Sequence, residues 1–196
     1  MMDHMETAAK SLVSRARRPR SSPPGPILGI DPGLQRTGYG LVVGLPRPEA
    51  CQLVEAGLIR LDPRQPIEQR LVELERSLTQ VLDSHRPAVL ACEQLYAHYK
   101  HPRTAIIMAH ARGVILALAA RRGLAIINVA ATHVKKHLTG SGRAGKAQVQ
   151  RAVAATLHLP CAPEPDDVSD ALAVAICGLR MHAADLRAAG AAEGAC

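Results

Sequence analysis

The chain has 196 residues, 47% hydrophobic and 21% charged, with three Tyr, no Phe and no Trp. That length suits one globular domain with an aliphatic core of Leu, Ile, Val and Ala; it excludes a disordered chain, and five scattered Cys without a C-x-x-C exclude a disulfide framework or zinc knuckle and point to reduced thiols. The net charge of +7 is uneven: no Asp or Glu occurs from Gln94 to Pro163, a stretch with ten Lys and Arg, which leaves −3 for the remainder.

Residues 1–25 read as a basic, disordered tail ending in a Pro-rich run, where neither helix nor central strand is sustained. The first ten residues, MMDHMETAAK, lack the apolar run of a secretory signal, and no stretch of about 18 consecutive apolar residues predicts a membrane span. The expectation is a soluble, cytoplasmic protein.

Order begins with I-L-G-I-D (27–31), a short buried strand that stops at Pro32-Gly33. Thr37–Gly44 and Cys51–Leu61 read as two further strands, antiparallel to their predecessors. Pro66 opens a helix whose apolar positions, from Ile67 to Leu82, recur at helical spacing as far as His85. Ala88–Glu93 is apolar up to its last residue and predicts a central strand. A long apolar helix spans Thr104–Arg122 with Gly123 as its C-cap, followed by a strand over Leu124–Val129. Ala131–Leu138 makes a short helix, 139–145 a glycine-rich loop, Lys146–Leu159 a helix, and Asp167 to about Ala189 a final Ala-rich helix, with 183–196 fraying. Three antiparallel strands leading into βαβ units predict an α/β domain over 26–182, with a mixed five-stranded sheet flanked by helices.

The acids bracket the basic block. Asp31 and Glu93 each end a strand, and chemistry-bearing groups collect at the carboxyl ends of adjacent strands in such sheets. Asp170 lies inside an apolar helical run, a poor place for an unpaired carboxylate. Asp166 and Asp167 share a helix face with it equally well, at i,i+4 and i,i+3 spacing. Gathered carboxylates repel unless a cation neutralises them, and hard oxygen donors favour Mg²⁺ or Mn²⁺ over zinc. The plainer readings are a turn-forming Asp31 and a helix cap at Asp166 or Asp167. A basic block with acids confined to its borders suits a polyanion such as nucleic acid.

The series Ile30-Asp31-Pro32-Gly33, Thr37-Gly38-Tyr39-Gly40, Glu93-Gln94-Leu95-Tyr96, Ala111-Arg112-Gly113, Val134-Lys135-Lys136, Gly145-Lys146-Ala147-Gln148-Val149 and Asp167-Val168-Ser169-Asp170-Ala171-Leu172-Ala173 resembles the RuvC family of bacterial Holliday-junction resolvases. The likeness runs from about Ile27 to Leu179. It implies an RNase H-like (retroviral-integrase-type) fold and a homodimer. It also implies four acidic metal ligands at Asp31, Glu93, Asp167 and Asp170, and so chooses Asp167 over Asp166. Two Mg²⁺ per site, with Mn²⁺ as a substitute, would drive phosphodiester hydrolysis to 5′-phosphate products.

By the same resemblance, Lys135, Lys136 and Lys146 lie at DNA-contacting positions, with Arg143 and Arg103 beside them. Tyr96 falls where an aromatic stacks on bases at the branch point, whereas Tyr39 reads as strand packing. Arg112, on an apolar helix, reads as a structural pairing or interface residue. A RuvA–RuvB branch-migration complex is the implied partner. The chain departs from the family over 97–110 (AHYKHPRTAIIMAH), which is unusually basic and includes Tyr99. Two other readings are an RNase H-like nuclease of YqgF type acting on RNA or RNA–DNA hybrids, and a non-catalytic junction-binding module.

Overall fold

The computed structural model describes residues 25–47, 49–95 and 102–193. The expected N-terminal tail, Tyr96 and Tyr99 lie outside the described residues.

The elements follow the order β1 (Ile27–Asp31), β2 (Arg36–Gly44), β3 (Cys51–Arg60), α1 (Ile67–His85), β4 (Val89–Glu93), α2 (Pro102–Arg121), β5 (Ala125–Val129), α3 (Ala131–Thr139), α4 (Lys146–Thr156) and α5 (Asp166–Glu193). The strands form one mixed sheet in the order β3-β2-β1-β4-β5. β2 is antiparallel to both β1 and β3, whereas β4 is parallel to β1 and to β5.

Several helix ends differ slightly from the sequence reading. α2 starts at Pro102, whose fixed φ and missing N–H suit a first turn. α4 stops at Thr156, short of Leu159. His158 takes a left-handed φ of 55°, and the Leu159 N–H closes onto the Ala154 carbonyl at 2.8 Å, just before Pro160. Gly123, at φ 68°, ends α2 as expected. The 139–145 segment is tied by its own side chains: the Thr139 hydroxyl donates to the Lys135 carbonyl at 2.8 Å and accepts from the Ser141 N–H at 3.2 Å.

Strand alternation sorts side chains onto two faces. Leu28, Ile30, Leu90 and Cys92 point to one face, where Leu74, Leu78 and Leu82 of α1 and Ala111, Ile115 and Leu118 of α2 meet them. Ile27, Val89 and Ala91 point to the other and pack under Leu172, Ala175 and Ile176 of α5, with Val149 and Val153 of α4 beyond. Among the described residues the largest fully buried side chains are all Leu, Ile or Val, as the composition requires, with Thr37, Ser169, Cys92 and Cys177 buried between them. Tyr39 packs at the margin of the first of these cores and donates its hydroxyl to Glu55 at 2.8 Å.

α5 lies unusually close to the sheet, and glycines make that approach possible. A Cβ on Gly29 would sit 2.3 Å from the Ala171 carbonyl oxygen, and one on Gly38 1.9 Å from that of Asp167. Gly38 belongs to the motif series quoted above and Gly29 to the first strand, and both define where the first turns of α5 rest. Gly38→Ala is expected to cost about 1–3 kcal/mol, the range for overpacking. Because the clash is with Asp167 itself, nuclease activity should fall further than a denaturant-melt comparison of stability accounts for.

By composition alone, residues 103–121 of α2 are long and apolar enough to cross a membrane, with a mean hydropathy of 1.4. One face of this helix, however, packs into the core. The opposite face leaves Ile106 59% exposed in line with exposed Gly113 and Ala117.

Candidate active site

The parallel pairing of β1 with β4 runs from Ile27↔Val89 to Ile30↔Cys92, so the next residues, Asp31 and Glu93, end neighbouring strands side by side. They lie two residues beyond Gly29 and Ala91 and so project on the same face, the one that carries α5. There the N-terminal turns of α5, pressed onto Gly38, supply Asp167 and Asp170 one turn apart. Four acids distant in sequence therefore meet at one edge of the sheet.

The electrostatics record this crowding. The Asp31 carboxyl is pushed up to about 7, chiefly by burial and then by the charges of Glu93, Asp170 and Asp167, with Lys146 pulling the other way. Glu93 is raised by burial and by Asp170, against the opposing charge of Lys135. Burial also raises Asp170, more than its partner Lys146 lowers it. Lys146 is desolvated, yet its carboxylate partners outweigh that effect and raise its pKa.

Two cations sit among these acids. The Lys146 ammonium, on the first turn of α4, lies 3.0 Å from Asp166 Oδ2 and 3.2 Å from Asp170 Oδ2. Arg36 Nε lies 3.3 Å from Asp167 Oδ2, but without hydrogen-bond geometry, so that buried oxygen has no hydrogen-bond partner. Among the described residues, no three His, Cys, Asp or Glu side chains converge as a ready-made metal cage. Asp167 and Asp170 turn instead toward Arg36 and Lys146.

The donor set still fits a hard divalent cation. It consists of carboxylate oxygens, it includes a buried oxygen on Asp167 without a hydrogen bond, and it holds a carboxyl whose ionisation is suppressed by burial and then by its like-charged neighbours. A cation would relieve all three.

The remaining expected residues distribute around this edge. Lys135 is half-buried on α3, close enough for its charge to act on Glu93; Lys136, Arg143 and Lys146 are exposed, as is Arg103 at the start of α2. Asp166 pairs with residues of α4. Its Oδ1 accepts from the Gln150 side chain at 2.7 Å and its Oδ2 pairs with Lys146. Arg112 has a structural place: its Nε donates to the Glu93 carbonyl at 3.0 Å and its Nη2 to Asn128 Oδ1 at 2.5 Å, tying the ends of β4 and β5 together.

The sequence reading missed Arg36. Nothing in its neighbourhood marks it as functional in one dimension. Only the antiparallel return of β2 brings it to the same edge as Asp31.

Comparison with known proteins agrees with this geometry. The family model for "Crossover junction endodeoxyribonuclease RuvC" matches residues 27–178. A RuvC of that description from Rhodopirellula baltica is 47% identical over 152 residues, covering 78% of this chain and 84% of its own length. Its counterpart from Pelotomaculum thermopropionicum is 45% identical over 151 residues, covering 77% and 90%. Among solved structures, Thermus thermophilus RuvC in complex with a Holliday junction substrate superposes with a TM-score of 0.74 at 28% identity, covering 81% of this chain and 96% of that one. The mixed sheet with its flanking helices is the RNase H-like fold. The chain belongs to the crossover junction endodeoxyribonuclease RuvC family.

Proposed function

We propose that the protein resolves four-way (Holliday) DNA junctions, in recombination and repair, by nicking symmetric strands as a homodimer in the bacterial cytoplasm. The gathering of Asp31, Glu93, Asp167 and Asp170 at one sheet edge, bordered by an acid-free basic surface, carries this reading. Relatives named as crossover junction endodeoxyribonucleases favour it over an RNA-directed nuclease or an inert binding module.

Nucleases of this family are metal-dependent. The proposal is Mg²⁺, two ions per site, held by Asp31, Glu93, Asp167 and Asp170, with Mn²⁺ as a substitute. When bound, such ions lower the pKa of the attacking water and stabilise charge on the leaving oxygen. The chain's own residues do the rest. Burial beneath α5 keeps the carboxylates in a poorly hydrated pocket where each charge counts more. Arg112 holds the β4 terminus and with it Glu93. Lys146, Lys135, Lys136, Arg143 and Arg103 grip the phosphate backbone, and Tyr96 stacks on a base unpaired at the branch point. Water adds to phosphorus, the P–O3′ bond breaks, and the proton lost from water balances that gained by the 3′ oxygen. The ends are a 5′-phosphate and a 3′-hydroxyl, ready for ligation.

The homodimer is supported by the outward face of α2, where small residues at Ala109, Gly113 and Ala117 follow Ile106 at helical spacing. Delivery of junctions by a RuvA–RuvB branch-migration complex belongs to the same proposal.

The test is a substrate panel with purified protein and Mg²⁺. Paired, ligatable nicks in a synthetic four-way junction, with little cutting of linear duplex or RNA–DNA hybrid, are expected. Preference for the hybrid, or no paired nicks, overturns the reading.

A further inference from the structure

The edge of the sheet that carries the acids also carries two arginines the basic block does not include. β1, β3, β4 and β5 all end there and β2 begins there. In sheet order the terminal residues are Arg60, Arg36, Asp31 and Glu93, after which Lys135 approaches from α3. Arg36 and Arg60 are direct cross-strand partners and both are exposed. Like charges placed opposite each other on a sheet destabilise it, so such a pair marks a surface that meets an anion. The two strand spacings from β3 to β1 span about 10 Å. A polyanion crossing Asp31 from the lysine side therefore runs onto these arginines.

The turn that presents Arg36 is well anchored. The Thr37 hydroxyl accepts from the Gly33 N–H at 3.2 Å and donates to the Gly33 carbonyl, while Arg70 of α1 donates to the Leu34 carbonyl. Arg36 itself is loosely engaged: its side chain is 56% exposed, and its contact with Asp167 Oδ2 lacks hydrogen-bond geometry. With the guanidinium largely in solvent and no hydrogen bond to the buried Asp167 oxygen, the pair is held weakly and exchanges readily.

We propose that Arg36 and Arg60 contact the DNA backbone on the β2–β3 side of the active site, and that Arg36 exchanges Asp167 for a phosphate when a divalent cation occupies the acids. This rests on the nuclease reading above and extends its DNA path to the flank opposite the lysines. Arg36 serves in turn as a placeholder charge and as a phosphate contact.

The experiment measures the salt dependence of junction binding by fluorescence anisotropy, in EDTA and in Ca²⁺ under conditions checked for absence of cleavage. Each phosphate contact contributes about 0.9 to the slope of log K against log salt. Arg60→Gln is expected to lower the slope by about that amount in both conditions. Arg36→Gln should lower it only in Ca²⁺, with Arg36→Lys retaining the slope. Calorimetric titration of the DNA-free protein with Mg²⁺ supplies a readout independent of DNA. Arg36→Gln should bind the ion more tightly, by up to about 5-fold, the range of an exposed ion pair.

An unchanged slope for Arg36→Gln in Ca²⁺, or weaker Mg²⁺ binding, overturns the proposal; the latter would make Arg36 a support for Asp167. Should wild type bind duplex as well as junction, the resolvase reading falls, and the same slopes measured on duplex still decide the arginines.

Discussion

Asp170→Asn should abolish strand cleavage, by at least about 10³-fold, while leaving four-way junction binding close to wild type. Asn has the shape of Asp and can still accept from Lys146, which lies 3.2 Å away. Packing of α5 on Gly29 and Gly38 is therefore undisturbed, and the change is the loss of one negative charge. A site whose chemistry depends on concentrated carboxylate charge loses most of its rate. A surface that binds a polyanion loses nothing by shedding a negative charge, so affinity stays level or rises slightly. Cleavage and anisotropy on the same junction decide it. Loss of binding along with activity would instead assign Asp170 a structural role.

The second large effect is on stability, in protein stripped of metal. Asp31 titrates near 7 in the fold against an ordinary value of 3.8. Between those values the folded protein holds a proton that the unfolded chain has released, so unfolding free energy falls as pH rises through the window. The cost is absent below about pH 4 and complete above about pH 7. At about 1.4 kcal/mol per pH unit it reaches at most about 4 kcal/mol. Glu93 and Asp170 are raised too, and so work in the same direction.

The thermal midpoint of EDTA-treated wild type should therefore decline from pH 4 toward pH 7. Asp31→Asn should remove most of the slope and melt roughly 5 °C or more above wild type at neutral pH. Mg²⁺ should restore wild type by binding only the folded state. A midpoint that rises with pH, or equal slopes for the two proteins, would count against a shared-charge site.

Much of this was legible one residue type at a time. The aliphatic composition dictated the core, and the short apolar runs over Ile27–Asp31 and Ala88–Glu93 each closed on a carboxylate. The capping glycine at 123 and the helical spacing over 67–85 were readable because their causes are local. The choice between Asp166 and Asp167 was not readable from spacing alone. It depends on which side of α5 meets the sheet, where the charge of Asp167 acts on Asp31, a residue 136 positions away. Arg112 was ambiguous for the same reason, since its partners are a backbone carbonyl on β4 and a side chain on β5. The Lys135–Lys136–Lys146 group was visible as a basic block, but the pairing of Lys146 with Asp166 and Asp170 was not.

By itself, then, the sequence determined the elements, the aliphatic core, and which acids and bases exist to be used. Hydrophobic periodicity and backbone stereochemistry act within a few residues, and composition acts on the whole chain. The tertiary structure decided the strand order, the burial that lifts Asp31 to about 7, and the arrival of Arg36 and Arg60 beside it. Desolvation and charge–charge interaction depend on distances through space, and those distances exist only once β2 has turned back on β1 and α5 has settled on its glycines.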